Sequence, residues 1–591
     1  MKNKKSNTIL IIQGVLFIIL IIGAAYAYLG TFNINLNNNV AININSTSPG
    51  NLSFIANSTQ LNLQVPDTSM AQYNANNTVA AKEDTGFVDI TLTGAEGFLT
   101  TCSYDLVYEY NTNSDIYGKT IPVTSGATKE ITIEVNGMNG NNHFATETNF
   151  NFDTSKGWSN ATSTKGAKVT LVTGATLKSL GTEQSVRWKV IGRYYNLDLN
   201  QYALSGKSFT GKIYVENVNC STEDGSSVKK GYETILANNG GKTAIEAKTA
   251  PSFANIETSN AGMYSYTEGT TGKTYYYRGA VDNNWVKYGK FKENQIVYRG
   301  FRDENSTDTS DTYNYDYIDY PTLAECQTGV DAGAYSSSYN YKCKEVVYAH
   351  KGDDMYWRII RVDKDNKIKM IYAGSKAPSE STKVAITGSN TNMGFTTYNC
   401  DNSSSGAEDV GFQYTVGSQR GTTTNSTIKT YLDNWYTKYF NENIGTSRFV
   451  KTTFCNDRNT SSTWTSTGDI FNYAPDDRLS SSTPTPTFEC NAEDVVTNNF
   501  GLITADEIVL AGGKNNTNNS AFYLNNNMLY WAGSPNGFDG GASYVFILEP
   551  VNSLSVGYVY YYYGGARGVV SLSSESKLLG SGTYNDVYIV E

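Results

Sequence analysis

Apolar and polar side chains alternate along most of residues 31–221. The alternation is clear at Val88-Ile90-Leu92 and again at Val186-Trp188-Val190. A period of two gives each strand one buried face and one solvated face. Because many such runs are separated by turns rich in glycine, asparagine and serine, the pattern predicts an antiparallel β-sandwich over residues 31–221.

A continuous apolar run precedes this region. Residues 8–29 carry no charge and follow three lysines, and about 22 residues suffice for a helix to cross a membrane. The basic flank should stay in the cytoplasm, which places the rest of the chain outside the cell. Ala25-Tyr26-Ala27 also fits a signal cleavage site. Residues 1–30 are therefore a membrane anchor or, if cleaved, the signal of a secreted protein.

The pattern changes after residue 221. Residues 222–260 are predicted to be a connector with a short helix over Tyr232–Ala237, and residues 261–591 a mixed α+β domain. A helix is predicted from Thr427 to Phe440, because its apolar positions recur every three or four residues and Ser426 suits the N-cap. A second helix begins at Thr504, which forms a capping box with Glu507. The predicted fold class is mainly β.

The amino-acid composition limits the kinds of partner that this protein is expected to bind. The chain has 591 residues, a net charge of −10 and only 17% charged residues, so no nucleic-acid partner is expected. It contains 45 tyrosines, and tyrosine gives broad contact area at low entropic cost. A surface rich in tyrosine and uncharged polar residues suits recognition, although a codon bias toward asparagine and tyrosine explains the same composition.

All seven cysteines follow the apolar run, as expected in an oxidising compartment. Cys326 with Cys343 and Cys455 with Cys490 are predicted disulfides that close loops. Whether Cys102 pairs with Cys220 is left undecided. In a regular strand Cys102 lies on the same face as Tyr104, whereas Cys220 lies on the face opposite to Val215. Cys400 is then left over as a buried free thiol or as a reactive or intermolecular one.

Three segments near the carboxyl end carry a family resemblance. They read Gly-Leu-Ile-Thr-Ala-Asp-Glu-Ile at 501–508, Leu-Tyr-Trp-Ala-Gly-Ser-Pro at 529–535 and Gly-Ala-Arg-Gly-Val-Val-Ser-Leu at 565–572. This order resembles an uncharacterised family of Gram-positive surface domains, which usually has proline where Gly568 stands. The segments 275–289 and 356–362 resemble the opening of the same domain, and the Phe-Cys-Asn-Asp around Cys455 matches its usual first cysteine.

The resemblance covers about residues 260–591 and implies a C-type-lectin-like fold related in shape to formylglycine-generating enzymes. It implies surface recognition rather than catalysis, since those enzymes use a cysteine pair near the carboxyl end and no cysteine follows Cys490. The sandwich region faintly resembles the camelysin and biofilm-fibre proteins of Gram-positive bacteria.

The resemblance also implies that loops near the carboxyl end carry the ligand face. The predicted ligand-binding residues lie in or beside these loops: Trp531, Asn536, Phe538, Asp539, Tyr544 and Tyr561. Tyr561 belongs to a tyrosine-rich run at 558–563, and the alternative interpretation of this run is cross-strand aromatic packing. The only metal candidate is calcium at an acidic loop containing Asp308, Asp311 and Asp316, which is otherwise a solvated acidic loop.

Chemistry by a nucleophile and a histidine base has little support. The chain has two histidines, His143 and His350, far apart in sequence, and no zinc-binding or nucleotide-binding motif. We therefore expect a non-enzymatic surface protein, with no cofactor unless calcium binds, that attaches to an extracellular glycan or protein. The alternatives are a structural matrix or fibre protein and an extracellular hydrolase that uses only carboxylates.

Overall fold

The computed structural model shows two compact units, Met1–Val228 and Lys229–Val590. It describes residues 33–36, 43–44, 52–58, 60–64, 82–110, 131–138, 148–151, 168–194, 208–270, 272–302, 318–331, 341–399, 406–441, 447–560 and 564–591. Strand is the main secondary structure in both units, which confirms a mainly β protein. No helix among these residues is long and apolar enough to span a membrane, and the predicted anchor or signal at 1–30 lies outside them.

The first unit consists of strands arranged in two sheets. Its strands are β1 (Asn33–Leu36), β2 (Asn43–Ile44), β3 (Ser53–Ser58), β4 (Gln60–Gln64), β5 (Lys82–Thr93), β6 (Phe98–Tyr110), β7 (Ile131–Met138), β8 (Thr148–Asn151), β9 (Lys168–Ser179), β10 (Glu183–Tyr194) and β11 (Ser208–Asp224). One sheet has the order β1-β3-β5-β10-β7-β8 and the other β2-β11-β6-β9, with β4 also paired to β11. Apart from β1 with β3 and β2 with β11, these pairs are antiparallel.

The two sheets share one apolar core, so the predicted sandwich arrangement is confirmed. Val88, Trp188 and Val190 of one sheet and Tyr104 of the other are all buried in this core. The Trp188 Nε1–H donates to Tyr104 Oη at 2.9 Å and links the sheets. Burial raises the pKa of Tyr104, so its hydroxyl stays protonated.

A β-bulge in β11 decides the cysteine pairing that the strand phases left open. Glu216 pairs with Asp105 whereas Asn219 pairs with Ser103, so β11 carries one extra residue between them. Asn217 adopts a φ of 53°, which asparagine tolerates. Because the extra residue reverses the alternation, Cys220 turns to the buried face on which Val215 already lies, directly opposite Cys102. The two cysteines form a disulfide.

The second unit contains more and shorter elements. Its strands are β12 (Asn260–Glu268), β13 (Gly272–Gly279), β14 (Trp285–Phe291), β15 (Gln295–Arg302), β16 (Tyr341–Ala349), β17 (Asp354–Val362), β18 (Ile368–Gly374), β19 (Phe395–Thr396), β20 (Gln413–Tyr414), β21 (Thr424–Asn425), β22 (Phe440–Asn441), β23 (Thr452–Cys455), β24 (Ile470–Asn472), β25 (Val495–Asn498), β26 (Tyr530–Asp539), β27 (Ser543–Leu548), β28 (Leu554–Tyr558), β29 (Gly564–Gly565), β30 (Val569–Leu572), β31 (Leu578–Leu579) and β32 (Tyr588–Val590). Its helices are α1 (Gly231–Asn238), α2 (Lys242–Glu246), α3 (Leu323–Asp331), α4 (Thr427–Tyr439), α5 (Ala474–Leu479) and α6 (Ala505–Leu510).

Two large sheets organise this unit. The larger has the order β12-β13-β17-β14-β32-β31, with β18 beside β17, β30 beside β18 and β22 beside β14. The smaller has the order β19-β29-β26-β27-β28, with β24 beside β26. The strand pairs β15-β16, β20-β21 and β23-β25 complete the unit. One large apolar core contains residues from both sheets.

The predicted helices are confirmed at their starts and on their buried faces. The Ser426 Oγ accepts from the Lys429 N–H at the start of α4, and Ile428, Leu432 and Trp435 are buried. Thr504 and Glu507 form the predicted capping box of α6. Helix α1 covers the predicted helix of the connector, and its Ile235 packs in the core of this unit rather than remaining in solvent.

Both predicted loop-closing disulfides of the second unit are present. Cys326 bonds to Cys343 and Cys455 to Cys490. The first joins α3 to β16, and the second joins the end of β23 to the segment just before β25. Cys400 lies outside the described residues.

A buried ion cluster connects α6 to the larger sheet. Arg361 of β17 and Lys369 of β18 are direct cross-strand partners, and like charges in that position repel. The Glu507 Oε1 accepts from Arg361 Nε at 2.9 Å and from Lys369 Nζ at 2.8 Å. Burial alone would raise the pKa of Glu507, but the two cations and the Thr504 N–H lower it to about 2.

We predict that all three disulfides are present in the exported protein. Peptide mapping without reduction should link Cys102 to Cys220, Cys326 to Cys343 and Cys455 to Cys490. Because 118 residues separate the first pair, replacing both of its cysteines by alanine should lower the free energy of unfolding. The chain-entropy estimate is about 4 to 5 kcal/mol. Recovery of Cys102 and Cys220 as free thiols would contradict the bulged register.

We predict that Glu507→Gln destabilises the second unit in a pH-dependent way. The folded pKa of Glu507 lies below its ordinary value of 4.5, so its stabilisation is complete above about pH 5 and is lost as pH falls toward 2. The stability difference from wild type in urea titrations should be about 3 kcal/mol at pH 7 and should shrink toward pH 2. Asp365→Asn, at an exposed turn, is the control. A difference that stays constant down to pH 2 would refute this role.

Candidate functional site

Two residues predicted for the ligand face belong to the core. Trp531 is fully buried, its Nε1–H donates to the Thr396 carbonyl at 2.8 Å, and its ring packs against Tyr398 at 5.7 Å. Phe538 is 2% exposed and packs against Phe471 at 5.7 Å. Their burial corrects the expectation that these aromatic rings are open to a ligand.

The reason lies in the irregular pairing of β26. Trp531 pairs with Ile547 of β27 and Pro535 with Val545, so four steps on β26 match two on its partner. A further shift follows before Gly537. An uninterrupted strand would send Trp531 and Phe538, an odd number of residues apart, to opposite faces. The register shifts change the alternation, and both rings point inward.

Asn536 is the residue that the second shift leaves without a cross-strand partner. Its Nδ2–H donates to Asp476 Oδ1 at 2.8 Å, and its carbonyl accepts from the Tyr473 N–H at 2.8 Å. These bonds attach the start of α5 to β26. Asn536 therefore has a structural role in this contact.

Asp539 and Tyr544 do come together at the surface. Tyr544 Oη donates to Asp539 Oδ2 at 2.5 Å, and Asp539 Oδ1 accepts from the N–H groups of Gly541 at 3.0 Å and Ala542 at 2.7 Å. Burial would raise the pKa of Asp539, but these donors lower it, so the carboxylate stays charged. Burial and the bond to Asp539 raise the pKa of Tyr544. Tyr544 thus remains a neutral donor beside a fixed anion.

Two further tyrosines extend this surface. Tyr558 lies directly opposite Tyr544 in the β27-β28 hairpin, with ring centroids 4.3 Å apart. Tyr560 follows at 5.8 Å from Tyr558, while Val559 between them is buried. All three tyrosines are half-buried. Cross-strand aromatic packing, the alternative interpretation of the run, is therefore present here without removing the rings from the surface.

An exposed aliphatic side chain completes the patch. Ile470 of β24 is 77% exposed and pairs directly with Asp539, and directly opposed residues share a face of the sheet. We call Ile470, Asp539, Tyr544, Tyr558 and Tyr560 the tyrosine face. From the sequence, Tyr558 and Tyr560 belong to a run that is either a recognition platform or aromatic packing, only Tyr561 of that run is a predicted binding residue, and nothing indicates Ile470. Tyr558 follows Tyr544 by few enough residues for the two to pair in a hairpin. Which residues pair is known only from the strand register, so the sequence alone does not reveal this contact.

The remaining candidates are outside the described residues. These are Tyr561 and the acidic residues Asp308, Asp311 and Asp316. Asp319, at the end of the same acidic loop, is described and accepts from Arg299 at 2.7 Å and from Tyr348 at 2.6 Å. Within the part of the chain that is described, no group of three or more acidic, histidine or cysteine side chains is placed to hold a metal ion.

The tyrosine face offers a specific set of contacts. It presents aromatic rings, one aliphatic side chain, hydroxyl groups and a carboxylate whose pKa is lowered. Such a surface can pack against an apolar patch of a ligand while it exchanges hydrogen bonds with the polar groups around that patch. Comparison of the chain with protein-family models found no match, and a search of curated proteins found none either.

We predict that Phe538→Ala lowers the free energy of unfolding by about 3 to 5 kcal/mol, because it empties a filled core position. The matched comparison is Tyr558→Ala on the same sheet, where a half-buried ring is lost and the cost should be clearly smaller. Urea unfolding followed by fluorescence measures both. If Phe538→Ala were as stable as wild type, Phe538 would be a surface residue and not a core residue.

Proposed function

We propose that the second unit is the recognition domain of an extracellular surface protein and binds a glycan through the tyrosine face. The observation that carries the proposal is the pair of packed rings Tyr544 and Tyr558, with centroids 4.3 Å apart, beside the charged Asp539. The exposed Ile470 extends the apolar part of this surface. The residues of the tyrosine face come from four neighbouring strands, β24, β26, β27 and β28, and from the loop after β28, so one sheet supports the binding geometry.

The chemistry of a sugar suits such a surface. One side of a pyranose ring presents C–H groups, which pack on an aromatic ring, and its edge presents hydroxyl donors. A fixed carboxylate accepts those hydroxyls in charge-assisted hydrogen bonds. Asp539 is held in place by two backbone N–H groups, so little entropy is lost when it binds. A protein ligand would use the same rings, and the test below separates the two.

The proposed location is the outside of the cell, with the chain anchored by residues 1–30 or released after their cleavage. Three lysines before the apolar run support an exported carboxyl-terminal region. Three disulfides within the described residues support an oxidising compartment. Protease added to intact cells should remove the exported region if the chain is anchored.

A C-type-lectin-like fold is the finer proposal for the second unit. Two features support the resemblance on which it rests: the Gly-Leu-Ile-Thr-Ala-Asp-Glu segment starts a helix, and the Gly-Val-Val-Ser-Leu segment forms a strand of the larger sheet. The Trp-Ala-Gly-Ser-Pro segment is part of an irregular strand. An experimental structure of residues 229–590 is the test of this assignment.

We predict that Tyr558→Ala and Asp539→Asn each weaken glycan binding by about 30-fold or more, which corresponds to roughly 2 kcal/mol for a central contact. The full-length chain is first applied to a glycan array, and dissociation constants are then measured for the best glycan. Tyr264→Ala is the matched control, since Tyr264 is also half-buried and packed against a tyrosine, Tyr276, but lies on β12.

Binding that is unaffected by both variants would exclude the tyrosine face as the site. If the array shows no saturable binding while a protein array does, the ligand is a protein and the glycan proposal fails. Thermal unfolding of each variant separates loss of binding from loss of structure.

A further inference from the structure

A separate small cavity lies in the second unit next to the Cys455–Cys490 disulfide. Its volume is about 60 Å³, and it is lined by charged side chains from four elements and loops. Four charged side chains of its wall are buried, and the others are partly or fully exposed. The buried ones are Lys369, Asp457, Asp506 and Glu507, the partly exposed ones are Arg361 and Arg478, and Glu489 is exposed. The tyrosine face contributes no residue to this wall.

One side of the cavity carries excess positive charge. Arg361 and Lys369 share the single carboxylate of Glu507. Arg361 uses only Nε in hydrogen bonding, and its two terminal nitrogens bond to no residue that the structure describes. The hydroxyl of Ser534 accepts from the Ala505 N–H at 2.9 Å and keeps its own hydrogen for donation. This side therefore offers a guanidinium edge and a hydroxyl to an incoming carboxylate.

The other side carries excess negative charge. Arg478 donates to both oxygens of Asp506, at 2.7 and 2.6 Å, and also lies 2.5 Å from Asp457. One cation is thus shared by two carboxylates. Burial raises the pKa of Asp506 even though Arg478 opposes this effect. An ammonium group placed here would relieve the deficit of positive charge.

Two aromatic side chains hold the cations of the positive side in place. The Lys369 Nζ lies 4.9 Å from the centre of the Phe454 ring, and the Arg361 guanidinium lies 4.7 Å from the Phe488 ring. These contacts, together with the bonds to Glu507, fix the donors before any ligand arrives. The positive side is therefore preorganised.

We propose that this cavity binds the ammonium and carboxylate groups of a small amino acid. Charges of opposite sign on two walls complement a zwitterion and leave no net charge buried, whereas a simple anion or cation would satisfy only one wall. A water needs about 10 to 15 Å³ of such volume, so the cavity holds roughly four to six non-hydrogen atoms. Glycine and alanine have this size. The inference does not depend on glycan binding.

The test is calorimetric titration of the full-length protein with glycine and with L-alanine, using acetate and methylammonium as single-charge probes. We expect saturable binding of at least one amino acid and at least tenfold weaker binding of both single-charge probes. The proposal is overturned if neither amino acid binds at up to tens of millimolar, or if acetate or methylammonium binds as tightly as the better amino acid.

Two conservative variants locate the site. Arg361→Lys keeps the charge beside Glu507 but removes the free guanidinium edge. Asp457→Asn removes one carboxylate at a position with a φ of 31°, which asparagine tolerates. Each should weaken amino-acid binding at least tenfold with thermal unfolding little changed, whereas Lys364→Gln at an exposed turn should leave binding intact. Wild-type affinity in both conservative variants would place the amino acid elsewhere and refute the proposal.

Discussion

The second unit depends on one electrostatic constraint: two cations face each other across a buried hairpin. Arg361 and Lys369 are paired by the register of β17 and β18; Lys369 is buried, and Arg361 is only 14% exposed. A pair of like charges that is largely removed from water is tolerated only with a counter-charge between the two groups. Glu507 supplies it, so α6 must begin where it does. The hairpin register thereby fixes the position of a helix that follows more than a hundred residues later.

The Glu507 carboxylate also helps to explain why the cavity beside the Cys455–Cys490 disulfide is lined by charged groups and is not filled by apolar side chains. Glu507 bonds the two cations through one oxygen and the Thr504 N–H through the other. Its neighbour Asp506 turns toward Arg478 and accepts from the Thr487 N–H. Adjacent acidic residues at the start of a helix thus pair with three cations, Glu507 with Arg361 and Lys369, and Asp506 with Arg478. If apolar side chains filled the space between these ion pairs, some of the charges would be left buried without a partner.

The sequence predicts the local elements of this protein well and the positions of its rings poorly. Helix starts at Ser426 and Thr504 follow from capping chemistry that acts within one turn, so a single sequence reveals them. The Cys102–Cys220 pair needed knowledge of a bulge at Asn217, and the burial of Phe538 needed the register of β26. An inserted residue reverses every later side chain of a strand, which alternation alone cannot show.

Strand β26 shows how such irregularity distributes roles along a few residues. Its first residues carry Trp531 into the core, and the segment released by the first register shift brings Ser534 to the amino end of α6. After the second shift, Phe538 returns to the core and Asp539 reaches the tyrosine face. A regular strand offers only two directions in strict alternation. Because β26 is bulged twice, one strand contributes to the core, to the polar cavity and to the surface that we propose binds a glycan.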